Sequence, residues 1–236
     1  MRKDNFVMEK TEIKAVLLDV DNTLLDFDES SRVSMYAAAE QFGIALPEGF
    51  YKVFKRINDS LWKRVENGEL ERAELYKIRW NMIFEEVGID FDGERFERAF
   101  DMCIRESAEP VAGAEELLEY LYGKYPLYIA SNASYIQQRM RLKKSGMFEF
   151  IEEIFASESI GASKPSEEFF TYCREKLLPT LPEETMIIGD SYYADIVGGH
   201  RAGFKTCWYN HGHAKEPENS IADFTADRLI DIKKIL

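Results

Sequence analysis

Two aspartates close the apolar run Ala15-Val16-Leu17-Leu18: Asp19 stands directly after it and Asp21 two residues on, followed by Asn22-Thr23. A short apolar run bounded by polar residues reads as a buried strand of a parallel sheet. Ligands in open α/β sheets bind outside the carboxyl ends of such strands, so Asp19 falls where chemistry is expected. The turn signal Asn22-Thr23 allows Asp19 and Asp21 to converge on one point. Taken alone, an Asp-x-Asp at a strand end reads more simply as an Asx turn.

Further polar residues follow later apolar runs. Ser131-Asn132 follows Leu127-Tyr128-Ile129-Ala130, and Lys164 lies in the loop after Ile154-Phe155-Ala156. Asp190 follows Met186-Ile187-Ile188-Gly189, with Asp195 five residues beyond it. These side chains make a set suited to phosphoryl transfer. A carboxylate can serve as nucleophile through an aspartyl-phosphate. A neighbouring carboxyl can protonate the leaving oxygen and then deprotonate water. Hydroxyl, backbone N–H and ammonium groups can hold the equatorial oxygens. Each piece has a plainer reading alone: Gly189-Asp190-Ser191 as a turn, Ser131-Asn132 as a helix cap, Lys164-Pro165 as a solvated lysine before a helix.

Charge indicates what the set still needs. Asp19, Asp21, Asp190 and Asp195 would face a phosphate dianion, and each unit-charge pair at 4 Å repels by roughly 4 kcal/mol at an effective dielectric near 20. Lys164 alone does not offset this. A hard divalent cation with oxygen ligands does, and Mg²⁺ suits one or two carboxylates with phosphate and water.

The elements that must position these residues fall into two parts. Residues 29–108 are helical throughout, with helices expected at about 30–41, 48–66, 72–87 and 93–107, the first capped by Ser30 or Ser31. Residues 109–236 alternate strands and helices, the mark of βαβ units. The expected fold is α/β: a Rossmann-like parallel sheet core formed by 11–28 and 109–236, with an inserted all-helical cap domain formed by 29–108. The cap aromatics Phe50, Tyr51, Phe54, Trp62 and Trp80 read mainly as bundle core, with one or two facing the crevice. Lys63, Arg64, Arg72 and Arg79 read as solvated helix faces, Arg79 being the first candidate for a substrate contact. His211 and His213 read as a surface loop, and His200 as packing.

Composition bounds the function classes. Hydrophobic residues make up 45% of the chain, ample for a packed core, and the net charge of −13 disfavours nucleic acid or an anionic membrane as partner. The segment up to Lys10 reads as a loose tail and has no apolar run of the kind a signal peptide needs. No run approaches the roughly 18 residues of a membrane span. Cys103, Cys173 and Cys207 are scattered and read as reduced thiols, so a cytoplasmic protein is expected, monomeric or homodimeric, acting on a small-molecule phosphate.

Asp19-x-Asp21-x-Thr23, Ser131-Asn132, Lys164-Pro165 and Gly189-Asp190-x₄-Asp195 resemble, in order, the four motifs of the haloacid dehalogenase-like (HAD) hydrolases, and the match spans essentially the whole chain. The resemblance implies Asp19 as nucleophile and Asp21 as general acid/base. It implies phosphate binding by Ser131, Asn132 and Lys164. For Mg²⁺ it implies Asp19, the Asp21 backbone carbonyl and Asp190, with Asp195 supporting through water. Members that dehalogenate lack the second aspartate, so Asp21 favours phosphate chemistry. The stretch from Gly189-Asp190-Ser191 to Thr206-Cys207-Trp208-Tyr209-Asn210, with Asn58, Leu61-Trp62 and Glu66-x-Gly68 in the helical part, resembles the pyrimidine 5′-nucleotidase subgroup. This implies a nucleoside 5′-monophosphate substrate, with pyrimidine favoured; Trp62 and Arg79 are the candidate substrate contacts in the helical part. A phosphomutase, a sugar-phosphate phosphatase and a non-catalytic ligand-binding member are the rival readings.

Overall fold

Among the described residues, six short strands form one parallel sheet in the order β3-β2-β1-β4-β5-β6. They are β1 (Ala15–Leu18), β2 (Leu127–Ser131), β3 (Glu153–Ala156), β4 (Thr185–Gly189), β5 (Lys205–Tyr209) and β6 (Phe224–Ala226). The computed structural model describes residues 12–236, and the expected N-terminal tail lies outside the described residues. The continuous apolar runs are explained by burial on both faces. Val16, Leu18, Ile129 and Ile188 pack on one side, while Ala15, Leu17, Ala130 and Ile187 pack on the other. Helices α5 (Ala114–Leu121) and α6 (Tyr135–Lys144) cover the first side. Helix α8 (Glu167–Leu177) covers the second through Phe169, Phe170, Cys173 and Leu177, and the short α7 (Ser157–Ile160) joins it to β3. The architecture is thus α/β with a Rossmann-like parallel sheet.

Register brings the strand ends level. Leu18 pairs with both Ile129 and Ile188, and the Asp19 N–H donates to the Ile188 carbonyl at 2.9 Å. The residues following β1, β2 and β4 therefore open onto one crevice.

Between β1 and β2 the chain first builds α1 (Phe27–Gln41), α2 (Phe50–Glu66), α3 (Arg72–Val87) and α4 (Gly93–Arg105). Their apolar faces form a core of their own, centred on Trp80, whose ring lies 4.4 Å from Phe96 and 5.0 Å from Phe100. The outgoing and returning chains run side by side: the Asp26 N–H donates to the Glu109 carbonyl at 2.8 Å and the Val111 N–H to the Leu24 carbonyl at 2.9 Å. The helical unit thus hangs from two paired segments immediately beyond Asp21.

Local chemistry moves one helix start. The α1 N-cap is Asp26, which accepts from the Glu29 N–H at 2.8 Å, rather than Ser30 or Ser31, which are buried inside the helix. Asn22 explains the earlier start: at φ 61° its Oδ1 accepts from the N–H of Phe27 at 2.9 Å and of Asp28 at 3.2 Å. Asn tolerates the left-handed region that such a turn requires. After β4 the chain forms a π-helical segment, Tyr192–Val197, before α9 (Gly198–Arg201). His200 is exposed on α9, against the expectation that it packs, while His211 is exposed and stacks on Tyr209.

Candidate active site

Asp19 caps the central strand and is 6% exposed, a carboxylate nearly withdrawn from water. Lys164 reaches it from the loop beyond α7. Its Nζ donates to Asp19 Oδ1 at 2.7 Å, to Asp195 Oδ1 at 2.6 Å and to the Ala130 carbonyl at 2.7 Å. Lys164, expected at the site, is a buried ammonium with three acceptors, and the plainer reading of a solvated lysine before a helix does not hold. Burial works against its charge, but Asp19 and Asp195 outweigh that and hold its pKa above the usual lysine value. Burial raises Asp19 to about 7; Lys164 pulls it down, while Asp195 and Asp21 push it up.

Gly189 allows Asp195 in. A Cβ at position 189 would lie 2.2 Å from Asp195 Oδ2, so only glycine leaves room for that carboxylate beneath the strand end. Asp195 is also held by the N–H of Ser191, the N-cap of the π-helical segment, at 3.1 Å. The neighbouring Asp190 is tied through its backbone: its N–H donates to Thr23 Oγ1 at 3.1 Å and its carbonyl accepts from Trp208 Nε1 at 2.9 Å. Its carboxylate is pushed well above the usual range by burial, by Asp19 and by Asp195.

One carboxylate oxygen from each of Asp19, Asp190 and Asp195 lies within 4.8 Å of the others. These hard carboxylate oxygens are of the kind Mg²⁺ takes. The Asp21 side chain stands outside this cluster. It is engaged by Arg141 Nη1 and by Gln138 Nε2, the latter at 2.7 Å, and both of those α6 residues are fully buried. Arg141 also donates to the Ser107 carbonyl at 3.0 Å and to Ser30 Oγ at 3.4 Å, so one guanidinium joins Asp21 to both ends of the helical unit.

Ser131 accepts from Gln138 Nε2 at 2.9 Å and from the Ala133 N–H at 3.2 Å, which leaves its own hydroxyl hydrogen for a further acceptor. Asn132, expected as a phosphate contact, has its side chain engaged elsewhere. Its Oδ1 accepts from the Lys164 N–H at 2.7 Å and its Nδ2 donates to the Lys164 carbonyl at 3.0 Å. Asn132 therefore holds the loop that delivers Lys164.

Above these groups is a cavity of about 420 Å³, within the roughly 300–1,000 Å³ usual for small-molecule sites. Its far wall is helical and includes Asn58, Trp62, Glu66, Tyr76 and Arg79. Trp62 is half-buried and faces the cavity, whereas Phe50, Phe54 and Trp80 belong to the helical core. Arg79 also lines the cavity, but it is not a solvated residue. At 3% exposure it ion-pairs with Glu97 at 2.6 Å and donates to Asn58 Oδ1 at 2.8 Å. Arg72 on α3, likewise expected to be solvated, pairs with Glu158 on α7 at 3.2 Å. Glu66, at the end of α2, lines the same wall. Burial, then the nearby Asp195, raises it to about 7.

The sheet order, the inserted helices and the acidic strand ends define a class of enzyme. Residues 13–203 match the family described as haloacid dehalogenase-like hydrolase, and the chain belongs to that family. It is therefore a hydrolase. Among its relatives is YfnB of Bacillus subtilis, named as a HAD-hydrolase, which is 34% identical over 94% of this chain and 95% of its own length. A crystal structure of YfnB bound to magnesium superposes with a TM-score of 0.90, covering 95% of this chain and 99% of that one at 33% identity. The pyrimidine 5′-nucleotidase PynA of Streptococcus pneumoniae is 32% identical over 85% of each chain. The pyrimidine 5′-nucleotidase YjjG of Escherichia coli is 25% identical over 94% of this chain and 96% of its own. Among the described residues no helix is long and apolar enough to cross a membrane.

Proposed function

We propose that this hydrolase is a Mg²⁺-dependent phosphomonoesterase acting through an aspartyl-phosphate on nucleoside 5′-monophosphates, with pyrimidine bases favoured. The observation that carries the chemistry is the meeting of Asp19, Lys164 and Asp195 at the end of the central strand, with Asp21 held apart from them by Arg141 and Gln138. The two carboxylates have different surroundings, and separate roles follow. Asp19 attacks phosphorus as the P–O bond to the 5′-oxygen breaks, and Asp21 gives that oxygen its proton. Water then attacks the aspartyl-phosphate, Asp21 takes the water proton, and phosphate departs to regenerate the Asp19 carboxylate.

Asp19, Asp190 and Asp195 would hold Mg²⁺ directly or through water, with the Asp21 backbone carbonyl contributing. When bound, the ion offsets charge on the transferring phosphoryl group. Ser131 donates its hydroxyl to a phosphate oxygen, while Lys164 draws the carboxylates and the phosphoryl group together. The domain organisation that suits this is a core of 11–28 and 109–236 beneath a helical cap of 29–108, the cap supplying the wall over the substrate's leaving group.

The nucleotide preference is supported by Trp62 on that wall and by the likeness to PynA and YjjG. Stacking on an aromatic face contributes on the order of 1–3 kcal/mol, enough for about a ten- to hundredfold preference. The test is kcat/KM with Mg²⁺ for uridine, thymidine, adenosine and hexose monophosphates side by side. Nucleotides should lead, with the pyrimidine ones first. A hexose phosphate equal to or better than every nucleotide overturns the nucleotide assignment while leaving the phosphatase chemistry standing.

A further inference from the structure

The helical wall of the cavity contains one polar device that the phosphoryl chemistry does not use. Asn58, only 3% exposed, lies on α2 and faces the same cavity as Asp19 and Asp21. Its Oδ1 accepts from Arg79 Nη1 at 2.8 Å. A guanidinium has donors and no acceptor, so the Asn58 amide has only one workable orientation: oxygen toward Arg79, NH₂ away from it.

Arg79 is itself unable to turn. Its Nε and Nη2 donate to Glu97 Oε2 at 3.1 and 2.8 Å, and Nη2 also reaches Oε1 at 2.6 Å. The rings of Phe54, Tyr76, Trp80 and Phe100 surround the guanidinium at 5.1–5.9 Å. This fork and its aromatic collar fix the amide. The Asn58 Nδ2 finds no hydrogen-bond acceptor among the described residues, and it is not sealed in either, so its donors open on the cavity. Trp62 stands one helical turn further along the same face of α2 and lines the same cavity. A flat stacking surface and an oriented donor therefore lie side by side.

We propose that Asn58 reads a ring carbonyl oxygen of a pyrimidine base, donating to it from Nδ2, and that Arg79 and Glu97 are positioning residues that hold the amide in that sense. This rests on the nucleotide reading above. A donor at this place suits the keto oxygen that uracil, thymine and cytosine all carry at C2 and that adenine lacks. It also explains why a buried arginine lines a substrate cavity while most of its own donors are committed to Glu97 and Asn58.

The test is the ratio of kcat/KM for uridine monophosphate to that for ribose 5-phosphate, which shares the phosphate and sugar and lacks the base. Asn58→Asp keeps the size of the side chain and an acceptor for Arg79 but replaces the donor with a second acceptor. The ratio should fall roughly tenfold or more, as expected when a buried donor–acceptor pair is lost. Arg79→Lys, which loses the fork, should lower the same ratio, chiefly through KM for the nucleotide. The wild-type enzyme with 2-thiouridine monophosphate and with the analogue lacking the 4-oxygen needs no variant. A fall of fivefold or more for at least one of the two, on the order of what one hydrogen bond contributes, supports the assignment. A nucleotide preference that survives both Asn58→Asp and the analogues overturns the role of Asn58 alone. A wild-type ratio near one overturns the nucleotide reading and this one with it.

Discussion

Replacing Lys164 by methionine removes the ammonium that joins Asp19 and Asp195 while nearly preserving its volume. Its Nζ lies 2.7 Å from Asp19 Oδ1 and 2.6 Å from Asp195 Oδ1, with Lys164 and Asp195 both fully withdrawn from solvent. At an effective dielectric near 20, each contact is an attraction of roughly 6 kcal/mol before desolvation is subtracted. Desolvation cancels most of it, and breaking a buried pair by removing one partner costs about 3–5 kcal/mol because the other charge is left uncompensated. For a chain of this size that corresponds to a fall in Tm of about 6–20 °C. The cost depends on pH with a definite sign. Asp19 in the fold sits near 7, above its ordinary 3.8. Its protonation therefore favours the folded state, a contribution complete below about 3.8 and lost as pH rises through about 7. Without Lys164 the chief downward influence on Asp19 disappears, and the neutral form persists to higher pH. The deficit of Lys164→Met should be small at pH 5 and large at pH 8. Urea unfolding followed by tryptophan fluorescence, in chelator at both pH values, measures it. A loss below about 1 kcal/mol at pH 8, the range of an exposed ion pair, refutes the buried-cluster reasoning, as does a deficit that shrinks with rising pH.

Asp19→Asn should abolish turnover while the circular dichroism spectrum stays that of the folded enzyme, whereas Asp21→Asn should accumulate a phospho-enzyme detectable by mass; steady turnover in Asp19→Asn excludes the covalent route. Chelation should remove activity, with Mg²⁺ restoring it and Ca²⁺ doing so poorly because it takes more ligands at longer distances. Mg²⁺ at a hundred times its Kd should also raise unfolding stability by about 2.7 kcal/mol, and full activity in excess chelator refutes the metal assignment. Arg141→Met frees the Asp21 carboxylate, and kcat should fall roughly 10²-fold with a smaller change in KM, as for a misplaced catalytic group; equal losses in kcat and in folding stability would make Arg141 merely structural.

The parts legible in the sequence are those carried by local pattern. A buried strand announces itself by a short apolar run, a helix by its period and its stops, and the third helix lies at Arg72–Val87 as its spacing predicts. The order of Asp19, Ser131, Lys164 and Asp190 along alternating strands and helices already places them at one edge of a parallel sheet, since successive strands of such a sheet point the same way. The partners of those groups were not legible. Arg141 is 120 residues from the Asp21 it engages, and nothing in its own helix distinguishes it from the basic residues around it. Arg79 carries a charge that local pattern assigns to solvent, and only the packing of α2, α3 and α4 supplies the Asn58 and Glu97 that compensate its burial. Asn132 has an amide suited to phosphate, yet the approach of the Lys164 loop claims both of its ends. In each case the residue type sets what a side chain can donate or accept, and that is written in the sequence. Which acceptor it meets depends on which elements the folded core brings within 3 Å, and tertiary packing alone decides that.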